Sequence, residues 1–435
     1  MKLHHALFVF AALCACAGHA EAQALSQRGF LEGRLLAYPQ EAPGDPRQVL
    51  GDALFRHEMA WQPFGWLTVS GAFDARADTD GRVERGWSLD WSDRGALRPA
   101  LSVRRLAGIF ERRGLRFEAG KQLVRWGKAD ILNPTDRFAP RDFFEVVDPD
   151  FLPVTAGRLM WERGADTFDL VLSRFTPSRI PAPGTRWAPA TALGSRLSAL
   201  GASQRDGVIG PEPRAQGPEP FVIVDGGAVY PSRAQVGARW SHVGEGFEFS
   251  AAFFDGSNHL PAISGRVDPP AGAIVLTREY LPLRLYGADA AWPLRWLTLK
   301  GEIGYFTSRA DDAGEYGIYV IQVERQTGEW FLVGGYAGEF VIREGTAPQF
   351  SPERGLAKTF LGRASYTIDA NRSAAFEAAV RQTAAGAYLE AEFSQAFGQH
   401  LRFSAAGTLI RGERDDFFGQ FRENSNLRVV LRYSY

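Results

Sequence analysis

The chain has 435 residues, 49 Lys or Arg against 50 Asp or Glu, a net charge of -1 and a mean hydropathy of -0.19. This balance gives no reason to expect a nucleic-acid partner, and no stretch beyond the N-terminus approaches the roughly 20 apolar residues of a membrane helix. The 31 Phe, 11 Trp and 12 Tyr against 3 Met are typical of proteins whose rings belt both membrane interfaces, although a soluble β-sandwich can share that composition.

The first 22 residues have the features of a cleaved export signal. Residues 1–5 are short and basic, residues 6–17 are an apolar run too short to span a bilayer, and Ala20-Glu21-Ala22 is a small-x-small cleavage site. Cleavage after Ala22 would remove both cysteines, Cys14 and Cys16, and leave a chain without thiols. A lipidation site over residues 13–16 is the alternative. The pattern predicts export by a bacterium.

The remaining chain alternates between apolar and polar residues and has almost no helical periodicity. Phe247, Phe249 and Phe253, for example, interleave with Glu248 and Ser250, which places the rings on one face of a strand. The segments approach the 9–11 residues that a tilted strand needs to cross a membrane. The candidate strands are residues 30–38, 54–61, 66–76, 82–91, 101–110, 115–122, 159–163, 168–175, 234–241, 247–254, 284–292, 297–305, 316–325, 330–340, 360–368, 375–381, 389–394, 401–409 and 427–435.

These strands predict an all-β fold, a transmembrane antiparallel up-and-down β-barrel of about 16 strands (roughly 14–18), with residues 23–435 as one domain. A closed barrel leaves no backbone polar group unpaired in lipid. A secreted soluble all-β protein is the alternative, but its water-facing surface would not repeat Phe, Leu and Tyr in strand after strand.

Two segments interrupt the strands. Residues 126–157 contain NPTD, PRD and DPD, which are turn-forming sequences, and predict a long structured loop. Residues 176–231 are rich in Pro, Gly, Ala and Arg and have little apolar periodicity. We expect either an extracellular loop, a loop folded into the barrel or a partly disordered insertion there.

The last nine residues predict the closing strand of the barrel. Leu427, Leu431 and Tyr433 would share the lipid face with the other odd-numbered positions, while Arg428 and Arg432 would face the lumen. The terminal aromatic pattern also predicts that Tyr433 and Tyr435 are recognised by the barrel-assembly machinery of the outer membrane.

Two patches carry a family resemblance. Residues 120–127 read GKQLVRWG and are followed by NPTD at residues 133–136, and residues 253–261 read FFDGSNHLP. These motifs resemble porin-like outer-membrane proteins of poorly characterised function, in which a strand ending G-[KR]-Q-x-x-x-W-G precedes an N-P-x-D loop. The resemblance implies a β-barrel that serves as a channel, a transporter or an export component, without naming a substrate.

The segment from Arg98 to Arg141 carries a surplus of basic charge. It holds eleven basic and four acidic residues, which gives 11 − 4 = +7 in a chain of net charge -1. If the basic groups project inward they would form a ladder that attracts anions. Alternatively they pair with Asp142, Glu145, Asp148 and Asp150 and anchor the following loop against the wall. The pore-lining or constriction candidates are Arg104, Arg116, Glu118, Lys121, Arg125, Lys128, Asp130, Asp136, Arg137, Arg141 and Asp142.

Charges at the other lumen-facing positions look balanced. The bases are Arg239, Lys300, Arg363, Arg381, Arg402, Arg428 and Arg432, and the acids are Glu248, Glu302, Glu377, Glu390 and Glu392. We therefore expect a weakly selective wall, with selectivity concentrated near the loop at residues 126–157. If charge pairs fix this loop in an inward position, it is the preferred constriction of the pore.

An enzymatic or metal site has little support. Ser257 and His259 are adjacent in sequence, but the chain has no G-x-S-x-G elbow and no H-E-x-x-H motif. The loop aspartates would bind Ca²⁺ if the fold gathered them, although their spacing matches no known calcium loop and arginines compete for them. We expect no catalytic residue, metal or cofactor.

The sequence thus predicts an outer-membrane channel for small solutes in a Gram-negative bacterium, in contact with the outer-membrane bilayer and without nucleic acid. Two refinements stay open, a preference for anions and a coupling to an export system. The first alternative is a non-conducting anchor or assembly protein for a surface polymer or export complex. A lipid-modifying enzyme is the third possibility.

Overall fold

The computed structural model describes residues 24–42, 45–130, 132–181, 186–187, 222–268, 273–346 and 350–435. Within these residues 18 antiparallel strands close into one barrel, in which the first strand pairs with the last as well as with the second. In chain order the barrel strands are β1 Ala24–Ala37, β2 Val49–Phe64, β3 Leu67–Asp78, β4 Leu101–Arg112, β5 Leu115–Gln122, β6 Val154–Arg163, β7 Asp166–Ser173, β8 Gln235–Gly244, β9 Phe247–Ser257, β10 Pro282–Pro293, β11 Thr298–Thr307, β12 Glu315–Thr327, β13 Trp330–Arg343, β14 Thr359–Thr367, β15 Arg372–Arg381, β16 Gly386–Phe397, β17 Leu401–Gly412 and β18 Asn426–Ser434.

The all-β barrel predicted from the sequence is confirmed, with a higher strand number than the central estimate of 16. One candidate strand, residues 82–91, is wrong, because only Leu89–Asp90 is extended there and it belongs to the connection between β3 and β4. Alternation is a weak signal for each single strand, so a loop that alternates by chance is mistaken for one. The proposed signal at residues 1–22 lies outside the described residues, as does most of the segment 176–231.

The alternation in the sequence becomes two faces of the barrel. In β18, Leu427, Leu431 and Tyr433 are at least half exposed on the outside. Arg428 and Arg432 face the lumen, where Arg432 donates to Glu32 of β1 at 2.6 Å. The predicted orientation of the closing strand is confirmed, and its inward charges join the two ends of the chain.

Aromatic rings circle the outer face near both ends of the strands. At one end, Trp66 stacks on Phe110 with ring centroids 5.9 Å apart, and Trp330 lies 4.7 Å from Tyr366. At the other end, the ring of Phe253 lies 5.4 Å from that of Tyr286, and the ring of Tyr336 lies 5.0 Å from that of Phe360. An apolar band between two aromatic belts is the surface of a membrane-spanning barrel.

Connections differ in length between the two ends. The connections β2–β3, β4–β5 and every second one thereafter have two to four residues. Those at the opposite end are mostly longer, and two of them build a small sheet from Val222–Val229, Ala262–Asp268 and Ala273–Glu279. We take the long-loop end as extracellular, following the usual arrangement of such barrels. Among the described residues, no helix has the length and apolar character needed to cross a bilayer.

The hydrophobic core lies inside the barrel, between inward-folded loops and one part of the wall. Trp126 and Phe138 of a loop meet edge to face at 5.1 Å, and Phe138 meets Phe254 of β9 at 4.9 Å. All three rings are 2% exposed or less. The loops therefore fill this side of the lumen as a packed core would, and any open path must run elsewhere.

Candidate functional site

The connection between β5 and β6, residues 123–153, folds into the lumen; we call it the inward loop. It begins three residues before the predicted loop of residues 126–157 and ends four residues before the predicted end, because residues 154–157 belong to β6. Its main attachment to a distant wall is the carboxylate of Glu302 on β11. One oxygen accepts the N–H groups of Lys128 and Ala129 at 2.9 and 3.0 Å, and the other accepts the N–H and hydroxyl of Thr135 at 2.9 and 2.8 Å. Four bonds to one buried carboxylate fix the loop to that wall.

The GKQLVRWG sequence accounts for the inward turn of this loop. Gly120 has φ +134°, and a Cβ atom there would lie 2.2 Å from the carbonyl oxygen of Leu106, so only glycine fits. Gln122 is buried and donates to a backbone carbonyl of β6 at 3.0 Å. The indole N–H of Trp126 donates to Asp169 of β7 at 2.8 Å. The strand end is thus tied to both following strands as the chain turns inward.

The NPTD sequence closes the next turn. Asp136 is buried and accepts the N–H groups of Trp126 and Gly127, the latter at 2.7 Å, and it pairs with Arg125 at 3.3 Å. A Cβ atom on Gly127 would lie 2.6 Å from the side chain of Asn133, which itself donates to a loop carbonyl. The GKQLVRWG and NPTD sequences therefore pack directly against each other.

Four carboxylates in the second half of the inward loop meet arginines of the wall and the neighbouring loops. The pairs are Asp142 with Arg98 (2.7 Å), Glu145 with Arg34 (2.6 Å), Asp148 with Arg428 (3.7 Å) and Asp150 with Arg104 (3.2 Å). These are the loop carboxylates that the anchoring hypothesis named as partners of arginine. The first two pairs are buried, whereas Asp148 and Asp150 keep half or more of their side-chain surface exposed.

The surroundings of these carboxylates set their ionisation. Burial opposes the charge of Glu145, but Arg34 and Arg82 overcome it and lower its pKa to about 2. Arg98 and Arg179 likewise hold the pKa of Asp142 well below its ordinary value despite burial. The side chain of Asp148 is exposed to the cavity but lies deep inside the barrel, and this enclosure and the neighbouring Glu145 raise its pKa to about 6 against the attraction of Arg428. The loop anchors stay charged at neutral pH, while Asp148 titrates close to it.

The predicted basic ladder on β4 and β5 is broken up by pairing. Glu118 accepts Arg105 at 2.7 Å, and Arg116 pairs with Glu118 at 3.7 Å near the short-turn end. Lys121 does not line the lumen: its side chain is 2% exposed, and its ammonium group lies 2.6 Å from Asp93 in the preceding loop. Removing a charged lysine from water is costly, so a buried lysine is tolerated only when a carboxylate pairs with it. Lys121 is therefore a loop anchor.

The remaining predicted residues also have partners within the barrel. Lys128 and Asp130 contact the barrel wall. Arg137 and Arg141 contact the short helix Pro352–Gly355 in the β13–β14 loop. The pairs are Lys128 with Glu248 (2.8 Å), Asp130 with Lys300 (3.1 Å), Arg137 with Glu353 (2.7 Å) and Arg141 with Glu353 (3.9 Å). The structure thus gathers most of the predicted residues at the inward loop but spreads their charges over separate pairs.

The long connection between β7 and β8 reaches across the extracellular mouth. Arg179 is buried and pairs with Asp93 at 2.9 Å. Arg186 donates to backbone carbonyls of the β1–β2 and β17–β18 connections and lies 4.0 Å from the ring of Tyr38. Trp187 is 3% exposed and packs 5.7 Å from Phe421. This connection therefore contacts the neighbouring loops that join β1 to β2, β3 to β4 and β17 to β18.

A cavity of about 410 Å³ lies between the inward loop and the wall formed by β1, β2, β3 and β18. Its lining contains six guanidinium groups, of Arg34, Arg56, Arg76, Arg82, Arg98 and Arg432. It also contains seven carboxyl groups, of Glu32, Asp52, Asp78, Asp80, Glu145, Asp148 and Asp150. Sequence reasoning missed most of the wall residues, although their inward positions on alternating strands were readable. It placed Glu302 on the lumen face but did not assign it to the site.

The residues weighed for catalysis and metal binding have other roles. Both ring nitrogens of His259 face backbone carbonyls, of Thr176 and Arg137, so the ring joins two loops. The N–H of Ser257 donates to Gln235 at 3.2 Å. Within the described ranges no group of three or more His, Cys, Asp or Glu side chains is placed to hold a metal ion.

No protein-family model matches the chain, and no curated protein sequence matches it. Among solved structures it is similar to Acinetobacter baumannii OccAB3, with a TM-score of 0.52 and 9% identity over 94% of this chain and 99% of that chain. It is also similar to a loop-L8 deletion mutant of OmpT, an outer membrane protein of Vibrio cholerae (TM-score 0.45, 9% identity, 95% and 100% covered). A mutant of the Rh. blastica porin gives a TM-score of 0.44 and 11% identity, with 95% and 100% covered. The likeness to OccAB3 is one of fold, and the chain has a porin-like barrel.

Proposed function

We propose that this protein is a channel for small polar or charged solutes in the outer membrane of a Gram-negative bacterium. The observation that carries the proposal is the charged cavity of about 410 Å³ between the inward loop and the β1–β3 wall. Its lining extends from the extracellular loops, at Asp80 and Arg82, to Arg432, two residues before the end of β18. A polar path beside an otherwise packed lumen is what a selective diffusion channel requires.

We further propose that the channel discriminates weakly between anions and cations. The basic surplus of residues 98–141 supplied the expectation of anion preference, but most of these groups are paired with acids, as in Arg98 with Asp142 and Arg104 with Asp150. Six guanidinium groups and seven carboxyl groups line the cavity together. Charges of both signs along one passage would orient a charged or dipolar solute more than they would reject solutes of one sign.

Incorporation of the purified, folded protein into planar lipid bilayers tests the channel. We expect stepwise increases of current, and reversal potentials in a salt gradient that indicate a small preference for either ion. A folded protein that produces no current steps over many incorporations would contradict the proposal. A permeability ratio strongly in favour of one ion would contradict weak discrimination while leaving the channel itself supported.

A non-conducting anchor or assembly protein is the second candidate, and one observation favours it. Loop residues Trp187, Phe350 and Phe421 are buried in the same core as the wall, which narrows the extracellular mouth. If this packing seals the barrel, the protein would hold a surface polymer or export complex without conducting. The same bilayer experiment separates the two candidates, because only the channel gives current.

We also propose that the chain belongs with the porin-like proteins of poorly characterised function that share the G-K-Q-x-x-x-W-G and N-P-T-D motifs. The packing of Gly127 against Asn133 supports treating the two motifs as one unit. The proposed partners are the outer-membrane bilayer and, through Tyr433 and Tyr435, the barrel-assembly machinery. We propose no enzymatic activity.

A further inference from the structure

Three arginines surround one aspartate on the outer face of the barrel, at its extracellular rim. Asp255, near the end of β9, pairs with Arg233, with Arg284 of β10 at 3.4 Å and with Arg309 at 3.4 Å. Arg233 precedes β8 by two residues, and Arg309 follows β11 by two residues. We call these four residues the rim cluster. It is formed by four neighbouring strands and their loops.

Alternation along the strands places the rim cluster on the outside. Inward positions of β9 and β10, such as Phe254 and Leu285, are fully buried. Asp255 and Arg284 are their neighbours in sequence and pair with each other across the strands, so they face outward. They lie where a lipid-exposed surface ends, not in the lumen or its proposed solute path.

Aromatic rings lie directly on the membrane side of the rim cluster. Phe253 and Tyr286 are each two residues from a member of the cluster, on the same face, and their rings are 5.4 Å apart. Tyr305 of β11 continues the row at 6.3 Å from Tyr286. Since two residues of a strand span about 7 Å, the guanidinium groups sit just above the aromatic belt, at the depth of lipid headgroups.

The charges of the rim cluster do not cancel. Three guanidinium groups against one carboxylate leave 3 − 1 = +2. The side chain of Asp255 is 17% exposed, whereas those of Arg233 and Arg309 are 44% and 60% exposed. Asp311 and Asp312 follow Arg309, but within the part of the chain that the structure describes neither is seen paired with the cluster. The single carboxylate thus holds three arginines together and leaves donors directed outward.

We propose that the rim cluster binds a phosphate group of an outer-leaflet lipid. A phosphate presents several anionic oxygens that match forked guanidinium donors, and a lipid also places its acyl chains against the aromatic and apolar surface below. Among anionic ligands, a lipid is bound most favourably by a basic group at headgroup depth, because the lipid covers both the charge and the neighbouring apolar surface. The site therefore selects a phosphorylated lipid over free phosphate.

Native mass spectrometry of the whole protein in neutral detergent tests this, with three probes: diphosphorylated lipid A, lipid A with both phosphates removed, and inorganic phosphate. We expect binding of the first at least tenfold tighter than binding of the other two. The triple substitution Arg233→Gln, Arg284→Gln and Arg309→Gln should weaken that binding at least tenfold. Asp255→Asn keeps all three arginines and should bind the phosphorylated lipid as tightly as the parent protein or more tightly.

A matched control removes the same number of charges from the opposite rim. Arg163, Arg295 and Arg325 lie over tryptophan rings at the short-turn end, with distances of 5.8–5.9 Å to the ring centroids. Their triple substitution to Gln should leave lipid A binding unchanged. Equal loss in both triple variants, equal binding of the dephosphorylated lipid, or equally tight binding of inorganic phosphate would each overturn the proposal. If the rim triple variant does not fold, the double substitution of the two exposed arginines, Arg233→Gln with Arg309→Gln, keeps the pair of Asp255 with Arg284 and should still weaken lipid A binding; unchanged binding in that variant refutes the proposal.

Discussion

Replacing Glu302 by glutamine should release the inward loop from the wall. The carboxylate accepts four hydrogen bonds from the loop, three from backbone N–H groups and one from the hydroxyl of Thr135. A glutamine amide keeps one acceptor oxygen and turns an NH₂ group towards two of these donors, so two bonds are lost. Hydrogen bonds to a charged group contribute about 1.5–3 kcal/mol each, which makes the expected loss about 3–6 kcal/mol. Since about 1.4 kcal/mol is a factor of ten, the undocked loop should become at least about 100-fold more populated.

Single-channel current and thiol labelling would report this change. We expect larger conductance and more open-channel noise for Glu302→Gln than for the parent protein, because the loop narrows the lumen. Residues 24–435 contain no cysteine, so an Ala129→Cys probe in the anchored segment can be labelled with a maleimide; it should react faster in the Glu302→Gln background.

Glu377→Gln is the matched control for this test. Glu377 also faces the lumen and loses the same charge, but it pairs with Arg363 of the neighbouring strand at 3.2 Å. We expect conductance noise and Ala129→Cys labelling close to the parent values. If Glu302→Gln and Glu377→Gln behave alike in both measurements, the carboxylate of Glu302 does not hold the loop and the reasoning is refuted.

Three further predictions concern the charge of the cavity, the glycine of the GKQLVRWG sequence and the packing at the extracellular mouth. The pKa of Asp148 is raised to about 6, so lowering the pH from 7.5 to 5 removes a negative charge and should shift reversal potentials towards anions. Asp148→Asn should show a smaller pH-dependent shift than the parent protein, and a shift of parental size in that variant would contradict this. Gly120→Ala combines a positive φ with a backbone clash and should abolish most of the folded yield on heat-modifiability gels, whereas Gly33→Ala has open space around it and should fold normally; equal yields would argue against the turn. Trp187→Ala removes a buried ring worth about 3–5 kcal/mol and should increase conductance, whereas the exposed Trp296→Ala should not, and identical conductance would show that Trp187 does not narrow the mouth.

The outward and inward faces of the strands could be predicted from the sequence because they depend on a local property. A strand alternates sides at every residue, so the lipid position of Leu431 and the lumen position of Arg432 followed from the pattern alone. The same rule placed Glu302 and Glu377 inward. It failed for residues 82–91, where alternating residues lie in a loop, because periodicity does not report hydrogen-bonding partners.

The sequence could not predict in the same way which charged side chains pair with each other. The surplus at residues 98–141 suggested a ladder, yet Lys121 is buried against Asp93, and Arg104 meets Asp150 of the inward loop. Burying a lysine or an arginine is favourable only where the fold supplies a carboxylate, and that supply depends on which loops enter the lumen. Counting charges along the chain could therefore name the loop carboxylates as partners of arginine, but not which arginine each of them meets.

The sequence by itself determined that this chain is an all-β barrel, which face of each strand meets lipid, that the last residues close the barrel and that the strands are interrupted after β5. Only the tertiary structure decided that Glu302 holds the interrupting loop inward and that a polar cavity lies beside β1, β2, β3 and β18. The reason is distance along the chain. Alternation acts between adjacent residues, whereas Arg432 and Glu32 are 400 positions apart and meet only because the barrel closes.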